Sequence, residues 1–122
     1  MTMGYVYIAA TILLTVYGQM VLKWQVALAG PGPEDFPAKL YFLLGLLANP
    51  WVLSGFVAAF AASLAWMGAM TKFELSHAYP FMSLNFVLVL LLAGMLFSEP
   101  VSSGKMIGVA LIVAGVIVGS RG

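Results

Sequence analysis

The chain has 122 residues, 63% of them hydrophobic and 7% charged, with a net charge of +1 and no cysteine. Water-soluble domains carry roughly 25% charged residues, and so short a chain cannot hide this much apolar surface from water, so an integral membrane protein is expected. The weak net charge argues against nucleic-acid binding, and the lack of cysteine excludes disulfides and thiolate metal sites.

The N-terminal stretch MTMGYVYIAATILLTVYGQMVLK lacks a basic n-region, and its apolar run is too long for a signal-peptide core, so it reads as a retained helix. A first span is predicted over about residues 3–24, carrying Thr11, Thr15, Gln19 and Lys23 at spacings of four. At about 100° per residue these form one slowly drifting stripe. Either the threonines bond back to their own helix and Lys23 snorkels to the headgroups, or the stripe faces a cavity. In the second case the Gln19 amide and the Lys23 amine supply donors for a phosphate or a sugar.

The linker ALAGPGPEDFPAKLYFLLGLLANP breaks at Gly30 to Pro33 and closes on Asn49-Pro50, a cap followed by proline at the first helical position. Residues 37–48 between them are too few to span, so a short interfacial or re-entrant helix is expected, with continuation of the second span as the alternative. The second span, about 51–71, is rich in glycine and alanine, which permits close helix approach. Trp51 suits an interface anchor, and Trp66 is deep enough to line a cavity.

The third span, about 75–98, opens on ELSHAYPFMSLNFV, a polar start to an otherwise apolar helix. In a regular helix His77, Phe81 and Asn85 share one face, and Ser76, Tyr79 and Ser83 an adjacent one. Ser83 and Asn85 fall about 200° apart, so both cannot face one ligand in such a helix. Pro80 is expected to kink or loosen the helix and free a backbone carbonyl, which a membrane tolerates only where protein or water supplies a donor. Glu74 either pairs with Lys72 at the surface or joins the polar set. The fourth span, about 101–120, places Gly104, Gly108, Gly115 and Gly119 near one stripe, the expected seam of a close helix pair.

No acid pair, metal-ligand spacing, glycine-rich phosphate loop or nucleophile with a neighbouring base is present, so no catalysis, metal or cofactor is expected. The fold class read from the chain is an all-α bundle of four transmembrane helices with a short interfacial helix after the first. Lys23, Lys39 and Lys105 fall at one side and Lys72 and Arg121 at the other, so the positive-inside rule gives little orientation.

The segments GQMVLK, AYPFMSLNFV and EPVS, with the apolar runs around them, resemble the small multidrug resistance-like branch of the drug/metabolite transporter superfamily. Within it they look most like aminoarabinose-phosphoundecaprenol flippase subunits. Drug-exporting members carry a glutamate in the first helix that binds proton and cationic drug, and by register Thr15 stands in its place. With no other acid in mid-span, proton-coupled drug export is disfavoured. The resemblance implies a flippase of the bacterial inner membrane that moves a polyprenyl-phosphate-linked sugar in lipopolysaccharide modification. It implies a dimer, either antiparallel with a second copy or paired with a sister subunit. Lys23 and Gln19 then suit the phosphate. Thr15, Trp66, His77, Tyr79, Ser83 and Asn85 line the headgroup cavity, and Glu74 suits a sugar ammonium. A small exporter of polar or cationic compounds and a membrane scaffold for a glycosyltransferase are the competing expectations.

Overall fold

The computed structural model describes residues 2–121. Six helices follow one another, with no strand among the described residues: α1 (Thr2–Ala29), α2 (Phe36–Leu46), α3 (Pro50–Met70), α4 (Leu75–Met82), α5 (Leu84–Leu96) and α6 (Ser103–Arg121). α4 and α5 are two parts of one rod, Leu75–Leu96, so four rods are long and apolar enough to cross a membrane. Large apolar side chains such as Leu13, Phe60, Met95 and Val118 point outward along these rods. That surface is stable in lipid and costly in water. The chain is a multi-pass membrane protein with the expected four-helix architecture.

α1 runs past Trp24 as far as Ala29, and the linker then turns through Gly30 and Gly32, both at positive φ. At Gly32 two constraints coincide: φ is +69°, and an added Cβ would lie 2.5 Å from the Phe42 ring. The Lys39 ammonium donates to the Pro31 carbonyl at 2.8 Å, tying α2 back onto the turn. α2 has 11 residues and buries none of them, with Phe36 and Tyr41 fully outward. At roughly 1.5 Å per residue it reaches about half the hydrocarbon thickness. A helix so short cannot cross the hydrocarbon region by itself.

α1 and α3 form the closest pair in the bundle. Gly18 and Gly55 face each other, and a Cβ at position 18 would lie 3.0 Å from the Gly55 carbonyl oxygen. The backbones therefore touch where side chains would hold them apart. Ile8, Ile12 and Val16, one helical turn apart on α1, pack with Ala69 and Ala78 to form the core. At the far end, Asn49 caps α3 by accepting from Trp51 N at 2.8 Å and Val52 N at 3.4 Å. Its amide also donates to Gln25 Oε1 at 2.9 Å, which satisfies a glutamine that is only 7% exposed.

The third rod is interrupted at Ser83, three residues past Pro80. Both the backbone N–H and the hydroxyl of Ser83 donate to the Pro80 carbonyl, at 3.1 and 2.5 Å. These bonds close a tight turn in place of the helical ladder. Proline thus loosens this helix, as expected, but the discontinuity falls after it. α5 ends at Leu96, and the connection to α6 places Ser98 in the left-handed region at φ 54°, a conformation that costs a non-glycine residue about 1 kcal/mol. Ser102 Oγ accepts from Lys105 N at 3.2 Å and starts α6. α6 packs on α4 and α5, and Val116 is its one buried residue among those described.

Candidate functional site

An open cavity of about 750 Å³ lies between α1, α3 and the broken rod. α1 contributes Thr11 and Thr15, α3 contributes Ser63, Trp66 and Met67 among small alanines, and the α4–α5 junction contributes Tyr79, Pro80, Met82, Ser83 and Asn85. Its size is that of a small-molecule site, mostly apolar with a few polar groups.

The polar groups in the lining are uncharged. Three hydroxyl protons are committed to helix carbonyls: Thr11 to Tyr7 O at 2.8 Å, Ser63 to Ala59 O at 3.2 Å and Ser83 to Pro80 O. Those oxygens keep lone pairs and present acceptors. Thr15, Tyr79 and the Trp66 indole can also donate. Trp66 and Tyr79 meet edge to face, with ring centroids 6.0 Å apart at 81°, and form an aromatic wall. Asn85 Oδ1 is buried and has no hydrogen-bond partner. A buried amide oxygen without a donor costs about 1–3 kcal/mol, and this one is sealed from solvent within the cavity wall.

Of the sequence-derived candidates, the fold brings Thr15, Trp66, Tyr79, Ser83 and Asn85 to this cavity. Ser83 and Asn85 both line this wide space, although Ser83 keeps helical backbone angles (φ −66°, ψ −15°) and the rod runs on nearly unbroken. His77 lies outside that lining. His77 Nε2 lies 3.2 Å from the Tyr5 hydroxyl, in an aromatic cluster with Phe73 and Phe81.

Gln19 is exposed outside the cavity. Lys23 forms an ion pair with Glu99 at 3.5 Å, the two side chains being 54% and 40% exposed. Beside it Met20, Val21, Trp24, Leu96 and Phe97 line an apolar groove of about 310 Å³. Glu74 precedes α4, exposed and making no side-chain cap bond, and it does not pair with Lys72. Gly108, Gly115 and Gly119 have open space over their Cα atoms, and Gly104 meets only Ser102 Oγ, at 3.8 Å.

The α1 stripe left Thr11 open between a bond to its own helix and a place facing a cavity, and it has both. Ser63 and the Gln25–Asn49 and Lys23–Glu99 pairs were not foreseen. Ser63 had a readable signal, since it precedes Trp66 by three residues. The pairs join residues distant in the chain and had none.

The chain is 37% identical over 117 residues to the probable 4-amino-4-deoxy-L-arabinose-phosphoundecaprenol flippase subunit ArnF of Aeromonas hydrophila, an alignment covering 93% of this chain and 77% of the relative. It is 37% identical to the ArnE subunit of Serratia proteamaculans, covering 96% of this chain and 95% of the relative. The ArnE subunit of Pseudomonas aeruginosa strain UCBPP-PA14 is 34% identical, with 92% of each chain covered. The chain belongs to the ArnE/ArnF family. No protein-family model and no solved structure matches it. Membership in the ArnE/ArnF family agrees with the resemblance drawn from AYPFMSLNFV and EPVS. The level of identity to ArnE and to ArnF is the same.

Proposed function

We propose that this chain is a subunit of an inner-membrane flippase that carries a polyprenyl-phosphate-linked sugar across the bilayer. The observation that carries the reading is the cavity itself, which offers hydroxyls, an indole and an aromatic wall, and no ionised group, among the described residues. Sugar hydroxyls match those donors and acceptors, and an aromatic face suits the apolar side of a sugar ring. A cationic drug would find no counter-charge there, and Thr15 cannot ionise to supply one. The names of the ArnE and ArnF relatives support the same substrate class.

In this reading Thr15, Trp66, Tyr79, Ser83 and Asn85 hold the sugar. Lys23, at the end of the α1 stripe, meets the phosphate where lipid headgroups lie, and the polyprenyl tail stays in lipid. One four-helix chain lines the cavity on one side, so a second chain, either another copy or a sister subunit, completes the path. The open glycine stripe of α6 supports a seam at that helix. Alternating exposure of the site then follows from exchange between the two halves.

Purified protein in liposomes carrying an undecaprenyl-phosphate sugar tests the reading. Transbilayer movement should accelerate, and Asn85→Ala with Trp66→Ala should abolish the gain. No acceleration by the protein alone or with a sister subunit, together with proton-coupled uptake of a quaternary ammonium compound, would overturn it.

A further inference from the structure

The Lys23–Glu99 pair has an unusual setting. Lys23 stands near the end of α1 beside the apolar groove formed by Met20, Trp24, Leu96 and Phe97. Lys23 is not part of the groove's lining, but it follows Met20 and Val21 and precedes Trp24 on the same helix, so an anionic lipid with its headgroup on the amine can lay its chain along the groove. The structure shows that cation already engaged, by a carboxylate 3.5 Å away.

Glu99 reaches it from a connection held in an uncommon shape. Ser98, just before it, is at φ 54°, and Pro100, just after it, cannot join a helix ladder. The Glu99 N–H bonds to Ala93 O at 3.3 Å, which folds the connection back over the end of α5. Lys105 donates to the Pro100 carbonyl at 3.4 Å and lines, with Glu99, a small pocket of about 180 Å³. A second cation therefore stands at the same connection, positioned through backbone.

We infer that Glu99 is a built-in competitor for the lipid phosphate: its carboxylate occupies Lys23 in the empty protein, and the phosphate displaces it on binding. The inference rests on the flippase reading and adds a regulatory residue to it. Because both side chains are half exposed, the pair is weak enough to exchange. The connection itself stays folded through its backbone bonds to Ala93 O, so the exchange frees the Lys23 amine without unfolding it.

The test is binding of undecaprenyl phosphate, without sugar, to the purified full chain in detergent, followed by native mass spectrometry. Glu99→Gln should tighten binding about two- to fivefold, the range an exposed ion pair is worth. Lys23→Gln should weaken it by roughly tenfold through loss of a charge-assisted contact. The double variant should behave like Lys23→Gln, because the competitor matters only while the lysine is present. Lys39→Gln, at the same end of the bundle, should leave binding unchanged. Wild-type binding with Glu99→Gln no tighter than wild type would overturn the competitor and leave the flippase reading standing. Absence of lipid binding in every folded variant would remove both. Inorganic phosphate displacing the lipid at millimolar concentration or below would overturn the groove, since the site would then read the ion alone.

Discussion

Asn85 carries two opposing demands in one side chain. Its Oδ1 is buried without a donor, a penalty of about 1–3 kcal/mol for the empty protein, and the residue stands in the wall of the cavity where the proposed sugar would bind. Asn85→Leu removes the penalty and fills apolar space, so it is expected to raise stability by about 1 kcal/mol. The same change should lower flipping more than about tenfold, because an apolar wall cannot answer a sugar hydroxyl. Thermal unfolding in detergent and the liposome assay, run on one preparation, check both halves. Parallel loss of stability and transport would show that Asn85 serves packing. Thr11 is the contrasting case, because its hydroxyl is already satisfied by Tyr7 O. It lines the same space with less to gain from a ligand.

At the level of helices, the ends of α1 and α3 are joined by polar chemistry in an otherwise apolar bundle. Asn49→Ala deletes the cap of α3, worth about 1 kcal/mol, and strands Gln25 Oε1, which costs about 1–3 kcal/mol more. A loss of about 2 kcal/mol or more is expected in unfolding measurements. Asn49→Ala combined with Gln25→Leu should recover most of the second part, since no buried oxygen is then left unpaired. The rods themselves were legible in the chain, because about 20 consecutive apolar residues have few alternatives to a membrane helix. So was the short helix between Asp35 and Asn49, bounded by its prolines. What could not be read was the company each residue keeps. Periodicity assigns faces but not neighbours, so nothing in the chain said that His77 would meet Tyr5 while Ser83 and Asn85 line the cavity. Gly18 is the counterpart in α1: one glycine in a threonine-containing stripe reads as nothing until Gly55 is brought against it. Lys23 was legible as a cation at a helix end, but its partner Glu99 lies 76 residues further along the chain (99 − 23).

For the whole molecule, the contacts run antiparallel. Tyr5 meets His77 near one membrane face, and Lys23 meets Glu99 near the other. Lys23, Lys39 and Lys105 therefore gather at one end, with Lys72 and Arg121 at the opposite one, and the difference is too small to orient the chain strongly. The near balance is what insertion in both orientations would produce. If α6 is the seam, cysteines placed at Gly108 or Gly115 should cross-link between chains in membranes, whereas a cysteine at Phe60, on the outer face of α3, should not. Gly115→Leu should shift the protein toward monomer on size exclusion and abolish transport, with the monomer remaining helical by circular dichroism. Cross-links at position 60 with none at 108 or 115 would move the seam to α3.

The contact of Gly18 with Gly55 carries a mechanical consequence. Two helices whose backbones touch have no room to slide, so α1 and α3 behave as a single fixed post, pinned again at its end by Gln25 and Asn49. The cavity has this post as one wall and the jointed rod of α4 and α5 as the other. Thr15 and Trp66 stand on that post, so their spacing in the cavity wall is fixed by the same contact.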